Sequence, residues 1–269
     1  MLIHYGYKLV FDLPVSTSMI ALLYTHPDIS ANLRKTESLK IDPEVPVEDF
    51  IDIFGNRCAR FTAPAGRVRL WSDNILHASE DPDPVNESAI QQDVNDLPVE
   101  TLQFLLPSRY CEVDLLSDIA WTLFGDTVPG WARVQAICDW VNVHVKFGYE
   151  HARSTKTARE VYQERAGVCR DLQHLAITFC RCLNIPARYA TGYLGDIRVP
   201  REPNPMDFSA WFEAYLGGQW YAFDARFNTP RIGRTLMARG RDAVDVALTT
   251  SFGQAALQEF TVWTEEIPA

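Results

Sequence analysis

The chain of 269 residues contains no apolar run approaching the ~20 residues needed to span a bilayer. It is short of positive charge. Lys and Arg number 25 against 35 Asp and Glu, and the net charge of −10 argues against nucleic acid or an anionic membrane as partner. The six cysteines (Cys58, Cys111, Cys138, Cys169, Cys180 and Cys182) form no C-x-x-C pair and no disulfide framework. They are read as reduced thiols and the compartment as cytoplasmic. Residues Met1 to Lys8 alternate like a strand and lack the apolar block of a signal peptide. No zinc-ligand spacing, carboxylate-rich calcium loop, phosphate loop or internal repeat occurs, so neither a metal nor another cofactor is expected.

Hydrophobic residues make up 47% and aromatics 12%, ample for a packed core. The length suggests about two domains. Residues 1–90 read as β-rich, with strands expected over Tyr5–Leu13, Glu37–Pro43, Asp49–Phe54, Arg57–Ala63 and from Gly66 through Trp71. The Pro-, Asn-, Asp- and Glu-rich stretch from Asp81 to Asp96 reads as a linker. Helices are expected over Asp114–Phe124 and Trp131–Val145. Thr157 to Glu160 forms a capping box that opens a short helix to Glu164.

The run from Arg165 to Leu172 places Cys169 where a turn becomes a helix. Leu172, Leu175, Ala176, Phe179, Cys180 and Leu183 then trace one helical stripe, and Cys169 lies on it in the first turn. Gly167 permits a tight entry. Unpaired N–H groups at a helix start favour a thiolate and can hold an oxyanion. A buried structural cysteine is the alternative, and the helix alone does not decide between them. After Pro186, residues Ala187–Leu194 read as a strand. Two aromatic-rich runs around Gly217-Gly218 then form a two-residue hairpin. With Leu216 opposite Gln219, Trp211 faces Asp224, and Ser209 faces Arg226. Ser209 and Asp224 are thus diagonal neighbours on one face. Arg231, Arg234, Arg239 and Arg241 form a basic cluster after the hairpin, expected to be solvated or salt-bridged.

The order of helix with Cys, strand with Ala-Trp, and strand with Asp resembles the transglutaminase-like superfamily, in its bacterial cysteine-protease-like branch. The matching pieces are Gly167 to Asp171, Ile185 to Tyr189, Ala210 to Tyr215 and Trp220 to Ala225. The resemblance implies an α+β fold: an N-terminal β-sandwich-like domain (1–90) and a papain/transglutaminase-like core with its leading helices (91–269). It also implies acyl transfer through a Cys169 thioester on peptide or glutaminyl amides, with Asp224 as the triad acid. Trp211 and Arg170 are taken as substrate-binding residues, and a peptide or protein is the expected partner. The sequence leaves the oligomeric state unknown.

One position departs from the family pattern. The residue before Ala210-Trp211, where the family carries its catalytic histidine, is Ser209. Serine is no general base near neutral pH, and a positioned base is worth roughly 10²–10⁴-fold. The six histidines (His4, His26, His77, His144, His151 and His174) are expected to be surface or satisfied core residues. His144 is expected to pack near the core, His174 to face away from the sulfur, and loop residue His151 is the best substitute among them. Two readings follow: an amidase with an unusual catalytic complement, or a catalytically silent module whose cleft binds peptides or proteins.

Overall fold

The computed structural model describes residues 1–201 and 205–268. The chain opens with β1 (Leu2–Leu13), β2 (Thr17–Ala21), β3 (Lys40–Asp42), β4 (Val47–Ile51), β5 (Arg57–Ala63) and β6 (Gly66–His77). The single turn α1 (Val99–Leu102) precedes α2 (Val113–Phe124) and α3 (Trp131–His144). Then come β7 (Lys146–Phe147), α4 (Ala158–Glu164), β8 (Ala166–Gly167) and α5 (Cys169–Cys182). The remainder is β9 (Ala187–Tyr193), β10 (Ser209–Leu216), β11 (Gln219–Phe223), β12 (Thr235–Gly240), β13 (Thr249–Ser251) and β14 (Ala256–Ile267).

Two antiparallel sheets, in strand orders β14-β1-β6-β3 and β13-β2-β5-β4, enclose one core. It buries Tyr5, Tyr7 and Leu9 of β1 against Met19, Phe61 and Leu70. A third sheet, β11-β10-β9-β12, packs on α5, with α2, α3 and α4 around that helix. The fold is α+β, a sheet pair joined to a transglutaminase-like helix-and-sheet core. Strand β2 lies outside the expected set. The C-terminus departs from the division at residue 90, because β13 pairs with β2 and β14 pairs with β1 from Leu2↔Ile267 to Asp12↔Ala256. Strand β1 has no exposed residue, and β14 and β6 together satisfy both its edges.

The hairpin forms with the expected register, Leu216↔Gln219 to Phe212↔Phe223. Gly217 and Gly218 take φ of 55° and 89°, the left-handed pair such a turn demands. The Thr157–Glu160 capping box is present in both directions.

Helix α5 is less amphipathic than its stripe implies, since every residue from Asp171 to Cys182 is buried. Most of its polar side-chain groups are paired inside the protein, as burial requires, while His174 Nδ1 has no hydrogen-bond partner. Arg181 donates from Nε and Nη2 to the Ala187 carbonyl at 3.0 and 2.8 Å, and from Nη1 to Leu106 O and Ser108 Oγ at 3.1 Å. His174 is a core histidine. Its ring stacks on Tyr110 at 5.0 Å, and its Nε2 accepts the Ala243 N–H at 3.1 Å. His144 is exposed, against expectation, because its side of α3 turns to solvent and the ring lies on Trp140 at 4.5 Å. The basic cluster is salt-bridged: Arg234 to Asp83 and Asp224, Arg239 to Asp28 and Glu213, and Arg241 to Asp245.

Candidate active site

Cys169 is the first residue of α5. The N-cap residue, Val168, has no side chain able to accept the first N–H groups. Asp171 compensates by reaching back, its Oδ2 accepting the Val168 N–H at 3.1 Å. Gly167 is needed for this close approach, because a Cβ there would lie 2.7 Å from Asp171 Cβ. The Cys169 thiol is thus held at a fixed helix start, where first-turn N–H groups lack intrahelical acceptors. All six cysteines are free. Cys169 is half-buried and the other five are buried.

Cys169 opens onto a cleft of 540 Å³ whose walls include Tyr149, Arg170, Tyr189, Asp207 and Ser209. Cys169 lines this cleft, yet protein packs closely around its sulfur. Burial is the largest influence and pushes the thiol up to about 11. The charge of the Asp207 carboxylate adds to the rise, whereas the Arg226 guanidinium and the Arg170 N–H oppose it. The expectation of a thiol lowered by the helix start is therefore corrected: desolvation and a nearby carboxylate outweigh the helix-terminal N–H groups.

The ladder between β10 and β11 runs from Leu216↔Gln219 to Phe212↔Phe223 and ends there, short of Trp211, Ser209 and Asp224. Ser209 begins β10 and lines the same cleft as Cys169. Asp224 lies just past the end of β11 and is buried. Its Oδ1 accepts from Gln173 Nε2 at 3.0 Å and from the N–H groups of Arg226 and Phe227 at 2.9 and 3.2 Å. Its Oδ2 meets both Arg234 terminal nitrogens at 3.3 and 3.4 Å. Asp224 thereby ties α5 to the turn that carries Arg226.

Of the two expected substrate-binding residues, Trp211 lies away from the cleft and Arg170 lines it. Trp211 is 2% exposed and packs with Ala190 and Leu236 under the Arg234 guanidinium. It is absent from the lining of the cleft, although its strand neighbours Ser209 and Ala210 belong to it. Arg170 lines the cleft, but its guanidinium is engaged by Asp171 Oδ1 at 3.1 and 2.8 Å and by the Arg153 carbonyl at 2.6 Å. Among the described residues, no histidine lines the cleft. His151 ends the 3₁₀ turn Tyr149–His151, beside Glu150 at 3.4 Å.

The residues missed from sequence are Asp207 and Arg226. Asp207 stands two positions before Ser209 in the segment leading into β10, and both line the cleft. Asp207 also borders an adjoining cleft of 530 Å³ with Ser209 and Arg226. Burial raises its carboxyl above the usual range, while the Phe208 N–H and Arg226 draw it down. A larger cavity of 670 Å³ lies beyond Asp224, between Trp131 and Phe223. Of its charged groups, Arg234 is paired with Asp83 and Asp224, and Glu87 and Asp139 also line it; its one thiol, Cys138, is buried. Among the described residues, no group of three or more His, Cys, Asp or Glu is arranged to hold a metal ion. No helix among them is long and apolar enough to cross a membrane.

A Cys-bearing helix start facing an antiparallel sheet is the arrangement of the transglutaminase-like superfamily. That family's model matches residues 122–225, which include Cys169, Ser209 and Asp224. A candidate cysteine protease from Cytophaga hutchinsonii is 31% identical in sequence, and its crystal structure superposes with a TM-score of 0.84. The match covers 100% of this chain and 91% of that one. The chain therefore belongs to the transglutaminase-like superfamily. An uncharacterised protein of Mycobacterium leprae is 33% identical over 84 residues, a match spanning 30% of this chain and 30% of that protein.

Proposed function

We propose that this protein is a cysteine-dependent amidase or acyltransferase in which Cys169 attacks a peptide or glutaminyl carbonyl and carries the acyl group as a thioester. The observation that carries this reading is the half-buried Cys169, the first residue of α5, opening onto the 540 Å³ cleft while the other five thiols are buried. Free N–H groups at the helix start would hold the oxyanion of the tetrahedral intermediate. Water or an amine would resolve the thioester. The likeness to a candidate cysteine protease supports the same chemistry. The reaction needs no metal or organic cofactor, and a cytoplasmic peptide or protein is the proposed substrate.

Without the family histidine, turnover is expected to be slow. A thiol near 11 is ionised in only roughly one molecule in 10⁴ at neutral pH. The test is release of amine from a casein or glutaminyl peptide by the wild type and by Cys169→Ala. Slow release abolished by the substitution is expected. Release that survives it contradicts the role of Cys169. The second reading, a silent peptide- or protein-binding module, is favoured by the absence of histidine from the cleft walls. It predicts peptide binding with no release at all.

A further inference from the structure

We infer that Asp207 is the general base and acid of this site, taking the proton of the Cys169 thiol that the family's histidine would take. The inference rests on the reading of Cys169 as nucleophile.

Among the described residues, Asp196 and Asp207 line the adjoining clefts and Asp224 also acts on the sulfur by its charge; two of these three are excluded by their surroundings. Asp224 has both oxygens engaged, by Gln173, two backbone N–H groups and Arg234. Asp196 borders only the second cleft, 3.9 Å from Arg231, and does not line the wall that carries Cys169. Asp207 lines both clefts and is the carboxylate whose charge acts most strongly on the sulfur. The same charge reaches buried Tyr189, which also senses Cys169, so the three groups share one neighbourhood. Arg226 faces the pair from the turn after β11, Arg170 and Tyr189 border it from α5 and β9, and Arg201 lies across the second cleft. Phenols and guanidinium groups offer no base at neutral pH. A carboxyl raised by burial has the character of a group that both accepts and returns a proton.

The steps balance. As sulfur bonds to the carbonyl carbon, the thiol proton passes to Asp207, directly or through one water, and the C=O π pair moves onto oxygen. The oxyanion re-forms C=O, the C–N bond breaks, and protonated Asp207 delivers its proton to the leaving amine. Asp207 then takes a proton from water as the water oxygen bonds to the thioester carbon. The C–S bond breaks, and the departing sulfur recovers the proton. The products are an acid and an amine, with thiol and carboxylate regenerated.

The test is the pH profile of Cys169 acylation by p-nitrophenyl acetate, read by p-nitrophenolate release with the acylated peptide located by mass spectrometry. The wild type, Asp207→Asn, Asp207→Glu and Cys169→Ala are compared. An ester of this kind needs no proton on its leaving group, so only base catalysis of attack is read. The wild type should rise through a carboxyl titration and stay level across neutral pH. Asp207→Asn should lose roughly 10²–10⁴-fold at neutral pH and match or exceed the wild type above the thiol value. Asp207→Glu should keep part of the neutral rate, which separates lost chemistry from lost folding. A wild-type rate that follows thiol ionisation alone overturns the inference, as does an Asp207→Asn rate equal to or above wild type at neutral pH. Unchanged acylation in Cys169→Ala would instead overturn the Cys169 reading, and this inference with it.

Discussion

Ser209 stands where the resemblance to the family leads one to expect a histidine, a difference of chemistry rather than of architecture. The strand, its register and the acid at position 224 are all present. If the missing imidazole limits the rate, Ser209→His should restore much of the roughly 10²–10⁴-fold that a positioned base contributes. Iodoacetamide alkylation of Cys169 at mildly acidic pH reads this directly, because an imidazolium-paired thiolate stays reactive there. Increased alkylation together with increased amide release is expected. Wild-type rates in the variant would show that the cleft cannot seat a triad, and would favour the binding-module reading. Cys169 was legible in the sequence because a helix stripe and a preceding glycine both point to it. Asp207 was not, because a lone Asp before an aromatic strand carries no local signal. What singles it out is a raised carboxyl across the cleft from a thiol, which exists only once β10 and α5 are packed together.

Helix α5 shows how far a one-dimensional pattern reaches. Its apolar period gave its position and first residue correctly. The pattern could not show that the polar side would also be buried, because the partners of Gln173, His174 and Arg181 come from remote parts of the chain. The hairpin, by contrast, was fully legible, since its register follows from two adjacent glycines. Burial of His174 has a measurable consequence. Its imidazole is held well below its ordinary range, first by burial and then by the charges of Arg170 and Arg181. The unfolded chain takes up a proton below pH ~6.5 that the folded chain refuses. The stability contributed by the neutral ring is therefore complete above that pH and is lost as pH falls below it, by up to about 1.4 kcal/mol per unit. His174→Gln should flatten the acid limb of unfolding free energy against pH by up to that slope relative to wild type. An identical slope in both proteins would show that His174 is protonated in the fold. His26, also held low, titrates in both proteins and cancels in the difference.

The ends of the chain meet. Strand β14 completes the sheet that β1 begins, and β13 completes the other, so the sheet pair closes only after the core has been traversed. Such a return is invisible to composition, because β14 is largely exposed and its local pattern does not name β1 as its partner. Within that frame the site draws on α5, the segment leading into β10 and the turn after β11, brought together by the packing of one helix on one sheet. The central claim is that this convergence makes Cys169 a nucleophile. Its most direct test is intact-protein and peptide mass spectrometry after brief exposure to p-nitrophenyl acetate near neutral pH. A single acyl group on Cys169, absent from Cys169→Ala, is the predicted result. An acyl group on another residue, or equal labelling of Cys169→Ala, would contradict it.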